Sequence, residues 1–104
     1  MYRGGYIYIM TNKHKNMLYI GVTSDLKKRI WEHRNHIYKN SFTDKYNIEY
    51  LVYYEGFDNI EEAIKREKQL KKWSRLKKET LIKNKNPSLI DFYEEVMNDL
   101  YSLL

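Results

Sequence analysis

Two short segments near the start of the chain limit its fold more than any other feature. Residues 6–10 (Tyr-Ile-Tyr-Ile-Met) and 17–22 (Met-Leu-Tyr-Ile-Gly-Val) each place alternate side chains on opposite faces, as a half-buried β-strand does. The polar stretch 11–16 between them has the length of a hairpin loop. These segments therefore predict an antiparallel pair of strands.

The loop also predicts the register of this pair. If Met10 lies opposite Met17, then Tyr8 lies opposite Tyr19, and the two tyrosines project from one face as neighbours. A slip of one residue would move one of the tyrosines to the other face.

A helix is predicted after the second strand. Ser24 suits its N-cap, and Asp25 suits its first turn because the amide end of a helix attracts negative charge. A stripe at helical spacing is formed by Leu26, Ile30, His33 and Ile37. Arg29 lies beside this stripe, one turn before His33.

The middle of the chain predicts a third strand and a second helix. Residues 40–47 form a polar connection, and residues 49–55 form the strand. The second helix begins after Asp58 or Asn59, where Asn59 with a glutamate three residues later is close to a capping box.

Two further helical segments follow. One runs from about 75 to 83, before asparagine and proline interrupt it, and the other is the amphipathic stretch 89–103. We expect a single domain, with a core over about 2–89 and a C-terminal helical extension over about 89–103.

Size, charge and cysteine content exclude several functional classes. The chain has 104 residues, enough for one domain with one modest core. Its net charge of +5 and pI of about 9.3 favour an anionic partner, nucleic acid first and an anionic membrane second, with plain solubility as the alternative. The absence of cysteine excludes disulfides, thiolate catalysis and cysteine metal sites. No apolar run indicates a signal peptide or a membrane span, so we expect a cytoplasmic location.

Arg29 and His33 form an i, i+4 pair on one helical face. Arginine suits a phosphate because its planar fork donates two parallel charged hydrogen bonds, and histidine exchanges a proton near neutral pH. Each also has a structural interpretation, as a solvated arginine and a half-buried histidine. His14 and His36 are interpreted as surface residues, because three histidines without ligand spacing do not indicate zinc.

Glu67 is a carboxylate in line with the apolar stripe of the second helix. It follows Ala63 by four residues and precedes Leu70 by three. Burial of an unpaired carboxylate is costly, so Glu67 needs a partner. A bound Mg²⁺ and a basic side chain are the two solutions, and the spacing alone favours the ion pair.

Tyr8 and Tyr19 are by default packed strand aromatics. A tyrosine becomes a plausible general base only if a nearby cation lowers its pKa from about 10. A metal at Glu67, or the guanidinium of Arg29, would supply that field. The functional interpretations of these residues therefore support one another.

A run of basic residues gives the two later helices a positive face. Its members are Lys65, Arg66, Lys68, Lys71, Lys72, Arg75, Lys77 and Lys78. Such a face binds phosphates without reading sequence, although an ordinary solvated surface has the same composition. Trp73 could stack on a base, but its position favours closing the core.

The order of these segments resembles the GIY-YIG nuclease superfamily, whose signature is two short strands and then a helix carrying an arginine and a histidine. The residues that match are Tyr8, Tyr19, Gly21, Arg29 and His33. Residues 62–75 look like the glutamate helix of its small stand-alone bacterial members, and Asn86 with Pro87 resembles the asparagine-proline that follows. The resemblance covers about 2–89.

This resemblance implies a small α/β (α+β) fold, ordered β-β-α-β-α-α plus a C-terminal helix, with a three-stranded antiparallel sheet flanked by helices. It also implies phosphodiester cleavage with one Mg²⁺ or Mn²⁺. By analogy, Glu67 is the protein ligand of the metal and Tyr8 is the base. Tyr19 and Arg29 hold the scissile phosphate, and His33 assists. The residues expected to contact nucleic acid are Lys28, Lys71, Lys72, Arg75 and Asn86.

The sequence departs from the family pattern at two positions. Tyr6 stands where the name motif has its first glycine. Thr11 stands where several active members carry a lysine, three residues after the first tyrosine, and Lys13 is a candidate substitute.

The sequence therefore predicts a metal-dependent endonuclease acting on DNA, structure-directed or weakly sequence-specific, with RNA also open and DNA repair as the expected setting. A non-catalytic nucleic-acid-binding module of the same fold is the first alternative. The second is a protein-interaction domain that docks a partner or a second copy through its last helix. We expect no membrane association, and a monomer or a weak homodimer.

Overall fold

The computed structural model describes residues 4–99. A three-stranded antiparallel sheet has helices on both faces, as the sequence predicts. The elements are β1 (Gly5–Thr11), β2 (Leu18–Thr23), α1 (Leu26–Arg34), α2 (Phe42–Lys45), β3 (Tyr50–Phe57), α3 (Ile60–Lys71), α4 (Arg75–Lys85) and α5 (Tyr93–Met97).

The predicted register between β1 and β2 is wrong by two residues. Tyr8 lies opposite Gly21, and Tyr19 lies opposite Met10. The cause is the hairpin loop, where the side-chain oxygen of Asn12 accepts from the backbone amides of residues 16 and 17 and so holds residue 17 in the loop. Because a shift of two keeps every side chain on its face, the two tyrosines remain on the same side.

The sheet divides the buried side chains into two clusters, with β1 as the central strand in the order β2-β1-β3. The isoleucine-side core contains Ile7, Ile9, Ile20, Val52, Tyr53, Ala63, Leu70 and Ile82. The tyrosine-side core contains Tyr8, Met10, Leu26, Ile30, Ile48, Leu51 and Val96. Helices α3 and α4 therefore cover one face, and α1 and α5 cover the other.

Helix α1 differs from the prediction at both ends. Its N-cap is Asp25 rather than Ser24, because the Asp25 side chain accepts from the backbone amide of Lys28 at 3.2 Å. The helix ends at residue 34, and His36 adopts a positive φ of 53°. Ile37 therefore leaves the predicted stripe and is exposed.

The connection predicted over 40–47 contains a short helix, α2, that the sequence interpretation missed. The hydroxyl of Ser41 caps it by accepting from the backbone amide of Asp44 at 3.2 Å. Thr43 is its one buried side chain. This turn places Thr43 next to His33 of α1.

The amphipathic stretch 89–103 does not form one helix over its described part. Leu89 has a φ of 51° and lies in a loop, and only the short helix α5 follows. Asp91 fixes this segment by accepting from the backbone amides of Leu51 and Tyr93 and by pairing with Arg34. Residues 100–104 lie outside the described part of the chain. Between residues 4 and 99, the helices are too short or too polar to cross a membrane.

Candidate active site

Four of the predicted site residues meet on the tyrosine side of the sheet. The ring centres of Tyr8 on β1 and Tyr19 on β2 lie 6.2 Å apart. The ring of His33 on α1 lies 5.7 Å from that of Tyr8 and 5.5 Å from that of Tyr19. Arg29, one turn earlier on α1, lies close enough to Tyr8 for its guanidinium charge to lower the pKa of the Tyr8 hydroxyl against the larger effect of burial. We call these four side chains the tyrosine cluster.

A hydrogen-bonded chain runs through this cluster to α2. The Tyr8 hydroxyl lies 3.0 Å from Nε2 of His33, and Nδ1 of His33 lies 3.0 Å from the hydroxyl oxygen of Thr43. All three side chains are buried. The sequence interpretation missed Thr43, because its only signal was a capping serine two residues before it.

Burial keeps both partners of the Tyr8–His33 pair neutral at pH 7. It raises the pKa of Tyr8, with a further increase from Tyr19, and the nearby guanidinium of Arg29 opposes this only in part. Burial also lowers the pKa of His33 to about 4, with Arg29 adding to the decrease. With Tyr8 donating to Nε2, the single ring proton of His33 lies on Nδ1 and is donated to Thr43.

Arg29 connects the buried cluster to the surface. Its side chain is half-buried, lies 3.5 Å from the Glu32 carboxylate and places its guanidinium carbon 5.2 Å from the centre of the Tyr38 ring. Such a flanked guanidinium is held in one place and still reaches solvent, which suits the binding of an incoming phosphate.

Glu67 lies on α3, outside the hydrogen-bonded tyrosine cluster. Its neighbours on the helix, Ala63 and Leu70, pack in the isoleucine-side core. Its carboxylate lies 3.2 Å from the ammonium of Lys71, so the ion pair favoured by the spacing is formed. Within residues 4–99, no direct hydrogen bond or ion pair joins Glu67 to the tyrosine cluster.

The surroundings of Glu67 fit a metal that takes few protein ligands. In the part of the chain that the structure describes, no three His, Asp or Glu side chains converge to hold an ion. Mg²⁺ usually keeps several waters and binds one or two carboxylates plus substrate phosphates. Glu67 is 15% exposed and Lys71 54% exposed, so the lysine can move into solvent and leave the carboxylate to a metal.

The basic residues predicted to contact nucleic acid divide into two groups. Lys28, Lys71 and Lys72 are exposed. Arg75 is exposed but engaged within the chain: it donates to the backbone oxygen of Asn16 at 2.9 Å and to Glu79 at 3.0 Å. Arg75 therefore ties the start of α4 to the β1–β2 hairpin.

Asn86 is buried, which contradicts its prediction as a nucleic-acid contact. Its side-chain nitrogen donates to the backbone oxygens of Val52 at 3.0 Å and Ile90 at 2.8 Å. Its side-chain oxygen accepts from the amide of Ile90 at 2.9 Å. Both side-chain N–H groups and the side-chain oxygen are thus engaged within the chain, and they fasten the end of α4 to β3 and to the loop at Ile90. Trp73, in contrast, packs against the isoleucine-side core as predicted.

His36 is not the isolated surface histidine that the sequence suggested. Its Nδ1 lies 2.8 Å from Asp44, and its Nε2 contacts Glu49. The hydrogen bonds from Glu49 and then from Asp44 raise the pKa of His36. Because the two carboxylates lie on opposite sides of the ring, they cannot share one metal ion with it.

Residues 4–88 match the model of a protein family, the GIY-YIG catalytic domain. The match covers all three strands, helices α1 to α4 and the whole tyrosine cluster. The chain belongs to the GIY-YIG family.

Three bacterial proteins, each called a UPF0213 protein, are similar to this GIY-YIG chain. The one from Syntrophus aciditrophicus is 39% identical over 82 residues, which are 79% of this chain and 92% of the relative. The one from Staphylococcus saprophyticus is 43% identical over 77 residues, or 74% and 92% of the two chains. The one from Clostridium perfringens is 35% identical over 91 residues, or 88% and 96%.

A solved structure has a similar fold. The solution NMR structure of a UPF0213 protein from Bacillus halodurans is 28% identical to this chain and superposes with a TM-score of 0.53. The likeness covers 91% of this chain and 96% of that one.

The second glycine of the GIY-YIG motif has a steric role in this structure. Gly21 lies opposite Tyr8 in the sheet, and a Cβ built at Gly21 would overlap the ring and hydroxyl of Tyr8. The absence of a side chain at Gly21 therefore leaves room for the Tyr8 ring, whose hydroxyl contacts His33. The tyrosine of one triplet and the glycine of the other form a single packing unit.

Proposed function

We propose that this GIY-YIG chain is a metal-dependent endonuclease that hydrolyses DNA phosphodiester bonds. The observation that carries the proposal is the position of the Tyr8 hydroxyl, which is buried between a neutral His33 and the guanidinium of Arg29. A proton acceptor and a phosphate-binding cation thus meet at one hydroxyl.

The raised pKa of Tyr8 determines how it could act as a base. A preformed tyrosinate is disfavoured, so Tyr8 accepts a proton from the attacking water while passing its own to Nε2 of His33. Thr43 holds the His33 ring in the orientation that this transfer needs. The proton therefore ends on His33. As the water oxygen bonds to phosphorus, the bond from phosphorus to the leaving sugar oxygen breaks, and that oxygen takes a proton from solvent.

The phosphate would bind at Arg29 and Tyr19. Arg29 supplies a charged fork for two phosphate oxygens, and the Tyr19 ring lies next to both Tyr8 and His33. The additional negative charge of the transition state would be stabilised by the same guanidinium.

Glu67 would hold the metal. Its carboxylate is a hard oxygen donor with a displaceable lysine partner. When bound, Mg²⁺ or Mn²⁺ supplies Lewis-acid stabilisation of phosphate oxygens. The exposed lysines Lys28, Lys71 and Lys72 would contact phosphates along the strand without reading sequence, which suits a structure-directed or weakly specific enzyme.

A second function is favoured by one observation. Thr11, which stands where several active family members carry a lysine, is buried and donates to the backbone oxygen of Met17 at 2.7 Å. It cannot help to ionise Tyr8. If His33 does not accept the Tyr8 proton either, the protein would bind nucleic acid at the same site without cutting it. Its function would then be that of a non-catalytic binding module.

Cleavage of labelled DNA tests the proposal. Linear, nicked, flapped and branched substrates are incubated with the wild type, with Glu67→Ala and with Glu62→Ala, in Mg²⁺ and in chelator. Glu62 is the matched control because it is an ion-paired carboxylate on the same helix, 3.7 Å from Lys65. We expect metal-dependent cutting that Glu67→Ala reduces at least about 100-fold and Glu62→Ala leaves unchanged.

Two outcomes would contradict the nuclease assignment. Salt-sensitive binding without any cutting, equal in the wild type and Glu67→Ala, would favour the binding module. Cutting that persists in Glu67→Ala would remove Glu67 from the site.

A further inference from the structure

Helix α2 and the residue that follows it, Tyr46, present two aromatic rings to solvent beside the tyrosine cluster. Phe42 is 45% exposed and Tyr46 is 47% exposed, and their ring centres lie 4.9 Å apart. They are an i, i+4 pair, so they share one face of the turn. Thr43, on the same turn, is buried and contacts His33.

These two rings continue a row that begins inside the site. The rings of Tyr19 and Phe42 are stacked, with centres 6.2 Å apart and planes inclined by 25°. Tyr19 in turn lies 5.5 Å from His33. We call Tyr19, Phe42 and Tyr46 the aromatic row, and it leads from the proposed phosphate site to the surface.

The charge around the aromatic row favours a polyanion over an apolar partner. Lys39, three residues before α2, and Lys45, its last residue, are exposed. The acidic residue of α2, Asp44, is paired with His36. Flat exposed rings among lysines, continuous with an arginine-based phosphate site, match the composition of surfaces that bind single-stranded nucleic acid.

We propose that the aromatic row is a subsite for an unpaired nucleobase next to the scissile phosphate. The substrate would then be single-stranded, or unpaired at the point of cleavage. In a duplex, each base is covered on both faces by its neighbours, so it cannot stack on Phe42 while the adjoining phosphate contacts Arg29. This inference rests on the proposed function, because it takes the phosphate position from that site.

Binding without cleavage tests the subsite. A fluorescein-labelled 12-nucleotide oligothymidylate and a labelled duplex of equal length are titrated in chelator, and anisotropy reports the dissociation constants. The variants are Phe42→Ala, Phe42→Leu and Phe42→Trp. Trp31→Ala is the matched control, because Trp31 is 46% exposed on α1 and has no ring contact with the aromatic row among the described residues.

We expect Phe42→Ala and Phe42→Leu to weaken single-strand binding roughly tenfold or more and to change duplex binding less than twofold. Leucine keeps an apolar side chain but has no ring, so weaker single-strand binding in Phe42→Leu would identify stacking as the cause. Phe42→Trp should retain the affinity, and Trp31→Ala should change neither ligand. A strand with abasic sugars, which keeps its phosphates, should bind the wild type about as weakly as the normal strand binds Phe42→Ala.

The subsite is overturned if Phe42→Ala weakens both ligands equally, weakens neither, or if the wild type does not bind the single strand. It is also overturned if sedimentation shows a dimer that Phe42→Ala abolishes while nucleic-acid binding is unchanged, because the rings would then form a contact between two copies. The nuclease proposal and the nucleobase subsite can be refuted independently. A wild type that cuts, with no strand-selective effect of Phe42→Ala, keeps the nuclease and removes the subsite. A wild type that never cuts but loses single-strand binding in Phe42→Ala keeps the subsite and removes the nuclease.

Discussion

The hydroxyl of Tyr8 and Nε2 of His33 lie 3.0 Å apart, across the junction between the central strand and the first helix. Neither group is charged at neutral pH, because burial raises the pKa of one and lowers the pKa of the other. A phosphate that pairs with Arg29 would neutralise part of the positive field that disfavours imidazolium. Substrate binding would therefore increase the basicity of His33 at the moment when a proton acceptor is needed.

Removing the Tyr8 hydroxyl should remove catalysis and leave binding intact. We expect Tyr8→Phe to lower kcat by about 100-fold to 10,000-fold, the range for loss of a general base, with DNA affinity changed less than about threefold. Tyr54→Phe is the control, because Tyr54 lies directly opposite Tyr8 on β3. Single-turnover cleavage and anisotropy measure the two quantities. Full activity in Tyr8→Phe would refute the assignment of the base.

The charge of Arg29 should be visible in the titration of His33. The pKa of His33, about 4 in the wild type, should rise in Arg29→Gln because a neighbouring positive charge that disfavours imidazolium is removed. NMR of the ring protons across pH 3 to 8 measures it. Lys28→Gln, an exposed neighbour on the same helix, should leave the titration in place. An unchanged pKa in Arg29→Gln would show that burial alone lowers it.

A methyl group at position 21 should displace Tyr8. Gly21→Ala is expected to destabilise the protein by about 1 to 3 kcal/mol, as overpacking does, and to reduce cleavage because the Tyr8 hydroxyl moves away from His33. Gly56→Ala, at an exposed glycine of β3, serves as the control. Urea unfolding gives the stability change. A stable and fully active Gly21→Ala would mean that the ring has room to move.

Asn86→Ala should lower the stability of the fold and leave DNA binding unchanged. Loss of one buried and two partly buried hydrogen bonds is expected to lower the free energy of unfolding by about 2 to 4 kcal/mol. The salt dependence of DNA binding, measured below the unfolding midpoint, should not change. Exposed Asn84→Ala, near the end of the same helix, is the control. A variant of normal stability with weaker DNA binding would restore Asn86 as a nucleic-acid contact.

His36 should make the protein less stable in alkali. Its pKa is raised in the folded state, so the stabilisation from its carboxylate partners is fully present below the unfolded value of about 6.5 and is lost as pH rises through the folded value. Urea unfolding at pH 6 and pH 9 should show this loss in the wild type and in His14→Gln, and a smaller one in His36→Gln. Equal pH dependence in all three would place the titrating group elsewhere.

Alternation of side chains was sufficient to predict which face each residue of β1 and β2 occupies. It assigned Tyr8 and Tyr19 to one face, and that face holds them. It could not give the register, because the register depends on the number of residues in the loop. That number is set by the side-chain hydrogen bonds of Asn12, which a spacing pattern does not encode.

Two other errors concern contacts that a local sequence pattern does not encode. Thr43 meets His33 only because a four-residue helix intervenes, too short to show periodicity. Asn86 is a polar residue at a helix end, which usually indicates a surface position, yet it is buried by β3 and the loop that follows. Glu67 has the spacing of a core residue, and its exposure depends on where the edge of the sheet lies.

The sheet gives its two faces separate evolutionary freedom. The four side chains of the tyrosine cluster and helix α1 belong to the tyrosine side, whereas much of the packing between sheet and helices belongs to the isoleucine side. A lineage can therefore exchange Ile7, Ile9 or Val52 for other apolar residues without changing a side chain of the tyrosine cluster. Stability can therefore change in this part of the core while the tyrosine cluster stays the same, which gives so small a domain a route to thermal adaptation.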